Sequence, residues 1–274
     1  MIPVGGVEEP GAFRYNFDMA ENVDILGKKI FFLYPSAVVQ NRIIEVFAQQ
    51  EFEVYMVKDH NKLREFLKKE PDSIVFANIN DGLSEREWEV WIRGVLGDPV
   101  TERVGMGILS STENEELRHK YVDTFKIPCG FTVIKSDLNL VMKQLFDILK
   151  AANAKGRRKF IRAIISENET NTTVNFSLNG TFVKGTIKDI SVVGFSCFFD
   201  TDPGLTKNTL YQDIQIKLQT NLINTEGIVF GSRMDNNNKI YVILFTQRID
   251  SETQAKIRKY IQSNLQAKMD WELR

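Results

Sequence analysis

The stretch Gly156-Arg157-Arg158-Lys159-Phe160-Ile161-Arg162 lies where the chain changes its pattern of apolar residues. Residues 138–149, before it, carry apolar side chains at helical spacing, whereas residues 173–178 and 240–245, after it, alternate apolar with polar. A change of period from about 3.6 to 2 indicates a change from helices to strands. We therefore predict a linker at residues 151–162 that joins two different domains.

Before the linker, short apolar runs alternate with amphipathic segments. The runs suit buried strands and lie at residues 29–33, 52–57, 73–79, 104–109 and 131–134. Helices are predicted after each run, and the pattern Ser84-Glu85-Arg86-Glu87 is a capping box that begins one of them. Strands that alternate with helices predict a parallel sheet covered on both faces. Residues 28–150 are therefore predicted to be an α/β domain with five parallel strands.

After the linker, short strands follow one another, separated by turn signals such as Asp202-Pro203-Gly204. The strand patterns lie at residues 173–178, 181–187, 194–199, 215–218, 227–230 and 240–245. A terminal helix opens with the capping-box pattern Ser251-Glu252-Thr253-Gln254, and its apolar face carries Ile257, Tyr260, Ile261 and Leu265. Residues 163–274 are therefore predicted to be an all-β unit, a small antiparallel barrel, with a C-terminal helix.

Composition limits the other possibilities. The 274 residues have a formal net charge of −1, which provides no global positive field for nucleic acid or acidic membranes. No apolar stretch approaches the roughly 20 residues that span a bilayer, and no signal peptide is visible. We predict a cytoplasmic protein without membrane insertion. Cys129 and Cys197 lie in apolar runs and are predicted to be buried, and residues 1–27 are predicted to be a flexible tail.

The strand–helix units of residues 28–150 resemble a response-regulator receiver domain. Receivers bind Mg²⁺ with acidic residues after the first strand and accept a phosphoryl group on an Asp that ends the third. Here Tyr34-Pro35-Ser36 follows the first strand, and the third ends Phe76-Ala77-Asn78-Ile79 without an Asp. Ser110 and Lys135 do match two further receiver positions. The resemblance therefore implies a degenerate receiver, used for protein contact rather than for phosphorylation.

A second motif, Asp189-Ile190-Ser191-Val192-Val193-Gly194, begins 27 residues after Arg162 on a predicted strand and turn. Arg158 and Arg162 themselves form the pattern Arg-x-x-x-Arg. In this order, one in a linker and one on a barrel strand, the two motifs resemble the PilZ domain, which binds the bacterial second messenger cyclic di-GMP. The resemblance covers about residues 155–270, and Phe195 departs from it because many relatives have a small residue there.

The resemblance implies a ligand site that combines the two motifs. Guanidinium groups pair with phosphate oxygens and guanine edges and stack on bases. Arg158 and Arg162 are therefore predicted to bind cyclic di-GMP, and Arg157 to reach a second stacked ligand molecule. Asp189 is predicted to accept hydrogen bonds from the guanine N1–H and N2–H₂ edge.

The remaining two site residues have smaller roles in the same prediction. Ser191 is expected to add a hydroxyl partner for the ligand, and Gly194 to let the backbone approach closely where a Cβ would clash. The sequence shows no catalytic Ser/His/Asp or Cys/His set, no metal-ligand spacing and no phosphate-binding glycine loop. Neither enzymatic activity nor a cofactor or metal is therefore predicted.

Because the arginines lie on the interdomain linker, cyclic di-GMP is predicted to order that linker against the barrel and to change the domain arrangement. Such an effector would control an unidentified protein partner, in motility, secretion or virulence by family resemblance, and no nucleic-acid partner is predicted. The alternative is a PilZ-like interaction module that does not bind nucleotide. In that case the arginines are a solvated linker, and Asp189 and Ser191 only cap a turn.

Overall fold

The computed structural model describes residues 27–135, 137–166, 169–178, 180–235, 238–246 and 249–274. The predicted flexible tail lies outside these residues except for Gly27. Two sheets are described, one of five strands before the linker and one of seven strands after it.

The first sheet is parallel throughout, with the order β2-β1-β3-β4-β5. Its strands are β1 (Ile30–Leu33), β2 (Val54–Val57), β3 (Ile74–Asn78), β4 (Gly105–Ser110) and β5 (Phe131–Val133). Every residue of β1 and β3 is buried, so the centre of the sheet is covered on both faces. Phe31 packs in one hydrophobic cluster and Phe32 in the other, because successive side chains of a strand point to opposite faces.

Helices cover these two faces. They are α1 (Ile44–Gln49), α2 (His60–Leu67), α3 (Glu85–Leu96), α4 (Glu115–His119) and α5 (Leu138–Ala151). A π-helical turn, Val39–Ile43, precedes α1, and another, Lys120–Thr124, follows α4. The predicted capping box begins α3: the Ser84 hydroxyl accepts from the Glu87 amide, and the Glu87 carboxylate accepts from the Ser84 amide at 2.8 Å. The predicted α/β fold is confirmed.

The second sheet closes into a barrel. Its strands are β6 (Ala163–Ile164), β7 (Thr172–Leu178), β8 (Thr181–Ser191), β9 (Gly194–Phe198), β10 (Leu210–Leu218), β11 (Asn221–Asp235) and β12 (Asn238–Phe245). The order β8-β7-β10-β11-β12-β9 returns to β8 through the β8–β9 pairing, so six strands form the closed antiparallel barrel. The short β6 pairs with the end of β8. Cys129 of the first domain and Cys197 of the barrel are both buried, as predicted.

The C-terminal helix, α6 (Ser251–Glu272), packs on both domains. Ile257, Tyr260 and Ile261 belong to the barrel core, whereas Met269 belongs to a core cluster of the first domain. The helix begins one residue earlier than the capping-box pattern indicated. Asp250 is the N-cap, and its carboxylate accepts from the Thr253 amide at 2.8 Å.

Two glutamines of α6 bind the exposed edge of the first sheet. Gln266 accepts from the Met56 amide at 2.8 Å and donates to the Met56 carbonyl at 2.9 Å. Gln262 donates to the Val54 carbonyl at 2.7 Å. An edge strand presents unpaired backbone groups, and here side chains of the other domain satisfy those of β2. The two domains are therefore joined by directional hydrogen bonds as well as by apolar packing.

We predict that Gln266→Ala weakens this contact. The substitution removes both hydrogen bonds to Met56, and each contributes about 0.5–1.5 kcal/mol net. The free energy of unfolding of the full chain, measured in urea, should fall by about 1–3 kcal/mol, and the Met56 amide should exchange faster with solvent. Ser263→Ala, at an exposed position of the same helix, is the control and should change neither quantity. An unchanged Met56 exchange rate in Gln266→Ala would contradict the prediction.

Candidate functional site

The linker is attached to both domains near its two ends. At its start, the Ala154 carbonyl accepts from the Lys28 amide at 2.8 Å, next to β1. Near its end, the Ile161 amide donates to the Glu51 carboxylate at 3.1 Å. Ala163 and Ile164 then pair with Ile190 and Asp189 as β6. The segment 155–160 between these anchors carries the first two arginines of the predicted site.

The β6–β8 pairing brings one residue of each sequence motif together. The Arg162 guanidinium lies 3.5 Å from a carboxylate oxygen of Asp189, and the other oxygen accepts from the Ser196 hydroxyl. The Arg162 side chain is 34% exposed and that of Asp189 is 17% exposed, so both are accessible from solvent. A guanidinium and a carboxylate at this spacing provide donors for phosphate or guanine acceptors beside an acceptor for guanine N–H groups.

Arg157 and Arg158 lie on the exposed part of the linker. Arg158 lines a cavity of about 240 Å³ that Arg162 also lines. The other walls of this interdomain cavity are residues 27–29 and 51–55 of the first domain and residues 265–272 of α6. Two of the predicted ligand-binding arginines therefore face the first domain as well as the barrel.

Ser191 and Gly194 serve the barrel itself. The Ser191 hydroxyl is buried, donates to the Gly194 carbonyl at 3.1 Å and accepts from the Val193 amide at 3.4 Å, which fixes the β8–β9 turn. A Cβ at position 194 would overlap the carbonyl oxygen of Ile243 and lie 3.1 Å from the Leu244 Cα. Contacts within the barrel thus explain why Ser and Gly suit these two positions, and the contact of either residue with a ligand stays a prediction.

Sequence reasoning missed Glu51, which connects three parts of the molecule. Its carboxylate accepts from the Ile161 amide of the linker and lies 3.5 Å from the Arg258 guanidinium of α6. Burial raises the pKa of the Glu51 carboxyl, while the Ile161 amide and the charges of Arg258 and Lys155 act in the opposite direction. Glu51 follows α1 at a positive φ of 60°, and no local sequence signal connects it to a linker 110 residues away.

Ser196 was also missed, although a signal for it existed. It is the one polar side chain in the strand Gly-Phe-Ser-Cys-Phe, where it is 3% exposed. A buried hydroxyl requires a hydrogen-bond partner, and the register that pairs Ser196 with Asp189 across β8 and β9 supplies it.

Residues 156–263 match the family model of the PilZ domain. The chain contains a PilZ domain. The two motifs therefore identified the family correctly. A search of curated proteins finds no match to the chain.

Solved structures resemble the two parts of the chain. The PilZ domain of YcgR from Escherichia coli with c-di-GMP is 12% identical, with a TM-score of 0.36 over 42% of this chain and 96% of that one. The MrkH–c-di-GMP complex of K. pneumonia is 21% identical, with a TM-score of 0.37 over 42% of this chain and 55% of that one. The Mn²⁺-bound response regulator Rcp1, similar to the N-terminal part, is 15% identical, with a TM-score of 0.35 over 45% of this chain and 92% of that one.

The positions that correspond to the phosphorylation site of a receiver carry other residue types in the first domain. Asn78, at the end of β3, donates to the Tyr34 carbonyl at 2.8 Å, and the Tyr34 hydroxyl lies 3.0 Å from Nδ1 of His60. The Ser110 hydroxyl donates to the Thr112 carbonyl at 2.8 Å. Asn78 and Ser110 thus bond to backbone carbonyls at this end of the sheet, whereas Mg²⁺ is usually bound through one or two carboxylates.

Two searches of the described residues gave negative results. No group of three or more His, Cys, Asp and Glu side chains is placed to bind a metal ion there. Likewise, no helix within the described ranges is long and apolar enough to cross a membrane.

We predict that Gly194→Ala destabilises the barrel, because the added Cβ collides with backbone atoms of β12 that cannot move independently. Overpacking of this kind costs about 1–3 kcal/mol or more, measurable as a lower urea midpoint. Gly231→Ala in β11 is the matched control, since no atom lies within 4 Å of its added Cβ. That variant should be neutral or up to about 1 kcal/mol more stable. Equal stability of the two variants would refute the assignment of Gly194 to packing.

Proposed function

We propose that this protein is a receptor for cyclic di-GMP and that its PilZ domain binds the dinucleotide between the linker and the barrel. The observation that carries the proposal is the 3.5 Å pairing of Arg162 with Asp189, which joins the two motifs at one accessible place. The family match over residues 156–263 supports the same ligand class. The protein acts by binding rather than by catalysis.

The residue chemistry assigns a role to each exposed group. Arg158 and Arg162 pair bidentately with phosphate oxygens or guanine acceptors, and Arg157 contacts a second stacked ligand molecule. Asp189 accepts from the guanine N1–H and N2–H₂ edge. Arg162 and Asp189 form an ion pair with each other, so a ligand that contacts both groups exchanges this pair for its own contacts. Ser191 and Gly194 maintain the β8–β9 turn that follows the strand carrying Asp189.

We further propose that binding changes the domain arrangement. The ends of the linker are attached to both domains, through Lys28, Glu51 and β6, while segment 155–160 carries Arg158. A ligand that draws this segment toward the barrel pulls on the Ile161–Glu51 hydrogen bond. Because the ligand then has different affinities for two arrangements, it shifts their populations. The rearranged surface would control a cytoplasmic protein partner, for which motility or secretion machinery is our hypothesis.

A second candidate is a PilZ module that binds a protein and not a nucleotide. It is favoured by the internal roles of Ser191 and Gly194 and by the mutual pairing of Arg162 and Asp189. Ligand titration separates the two candidates directly.

We expect isothermal titration of the full chain with cyclic di-GMP to show binding at micromolar ligand. Arg158→Ala and Asp189→Ala should each weaken it about 10- to 100-fold, because hydrogen bonds to charged groups contribute about 1.5–3 kcal/mol. The control is Arg86→Ala, at an exposed position of α3, which should bind as the unaltered protein does. Absence of binding heat from protein that melts cooperatively would favour the second candidate.

The rearrangement is tested separately by amide hydrogen exchange with and without saturating ligand. Amides of segment 155–160 should exchange more slowly as the linker becomes ordered. The Met56 and Ile161 amides, which donate across the domain contact to Gln266 and Glu51, should exchange faster as that contact opens. The Ile216 amide in the barrel core provides the reference. If ligand binds while the Met56 and Ile161 rates stay constant, the receptor does not work through domain rearrangement.

A further inference from the structure

The interdomain cavity, defined above by Arg158, Arg162 and the walls from both domains, carries an excess of positive charge. Six cationic and three acidic side chains line it; the cations are Lys28, Lys29, Lys155, Arg158, Arg162 and Lys268. The whole chain, by contrast, has a net charge of −1. A recess lined mainly by one sign of charge concentrates counter-ions of the other sign. The cavity is therefore suited to an anion.

Several of the charged groups in this cavity are already paired. Lys29 lies 2.6 Å from Glu70, Glu51 binds the Ile161 amide, and Glu53 accepts from the Tyr55 hydroxyl. The Lys29–Glu70 and Arg162–Asp189 ion pairs reduce the positive charge that a ligand would encounter. The ion pair of Glu51 with Arg258 reduces the negative charge.

Three lysines of the cavity are not paired with a carboxylate of the described residues. Lys155 lies over the Phe52 ring at 4.9 Å, and the Lys268 ammonium donates to the Ile164 carbonyl. Within the described ranges, Lys28, Lys155 and Lys268 form no ion pair with a carboxylate. They come from the first domain, the linker and α6, and the cavity brings them together.

We propose that Lys28, Lys155 and Lys268, which share the cavity with Arg158 and Arg162, form a second phosphate-binding wall of the ligand site. This inference rests on the proposed function. Cyclic di-GMP has two phosphates on opposite sides of its ring, so a ligand bound through Arg158 and Arg162 presents one phosphate away from the barrel. Ammonium groups bind phosphate as compact point charges. The first domain and α6 thus complete a site that the family motifs only begin.

The size of the cavity connects this wall to the domain arrangement. Its volume of about 240 Å³ is below the roughly 300–1,000 Å³ of pockets for drug-sized ligands. A complete dinucleotide therefore exceeds this recess as it stands. We expect ligand binding at the second wall to accompany the domain rearrangement proposed above.

The test uses the full chain and the variants Lys28→Gln, Lys155→Gln and Lys268→Gln, alone and combined. Glutamine retains a polar chain of similar reach and removes the charge. Titration with cyclic di-GMP should give a dissociation constant about 3- to 10-fold higher for each single variant and about 100-fold higher for the triple variant. The loss should shrink at high salt, where charge interactions are screened.

Two matched controls remove the same charge elsewhere. Lys62→Gln in α2 and Lys207→Gln in the barrel domain are exposed and should leave the dissociation constant unchanged. If cavity variants and controls bind alike while the unaltered protein binds, the second wall is refuted and the receptor function stands. If the unaltered protein itself does not bind, both are refuted. A cavity variant whose affinity falls only where its melting temperature also falls counts against the wall, because the lysine then contributes to stability rather than to ligand binding.

Discussion

Two residue pairs, Ala163 with Ile190 and Ile164 with Asp189, determine where the linker meets the barrel. Strand β9 occupies one edge of β8 over these positions, so β6 lies on the other edge, beside β7. This register places Arg162 next to Asp189. It also directs the preceding linker residues away from the barrel and along the first domain, where the interdomain cavity forms. A short strand thereby specifies both the ligand motif and the joint between domains.

Whereas β6 attaches the linker to the barrel, Glu51 attaches it to the first domain. Burial of a carboxylate is costly unless hydrogen bonds and an opposite charge compensate it. At Glu51 the compensation comes from Ile161 of the linker and Arg258 of α6. The arrangement of the domains is therefore favourable only when all three parts are in register. Loss of the Ile161 contact would leave the carboxylate partly uncompensated.

Periodicity predicted both fold classes, but it misjudged features that depend on distant contacts. Strand β11 spans Asn221–Asp235, whereas only residues 227–230 were predicted, because its polar residues face solvent and break the apolar run. Motif order predicted one ligand site for Arg162 and Asp189; the structure brings the two within 3.5 Å, and their contact with a ligand stays a prediction. The packing role of Gly194 could not be predicted, since the atoms that exclude a Cβ belong to β12, about fifty residues later. The lysines of the cavity come from three separate segments, and composition alone does not bring them together.

The end of the first sheet differs from the phosphorylation site of the receiver family that its sequence resembles. Asn78 there donates to the Tyr34 carbonyl, and the Tyr34 hydroxyl lies 3.0 Å from Nδ1 of His60. Its β2 edge and the residues beside β1 instead contact α6 and the linker. The first domain therefore presents a buried parallel sheet whose centre is covered on both faces. Its directional contacts with the second domain lie at the β2 edge, where Gln262 and Gln266 satisfy backbone groups that an edge strand leaves unpaired.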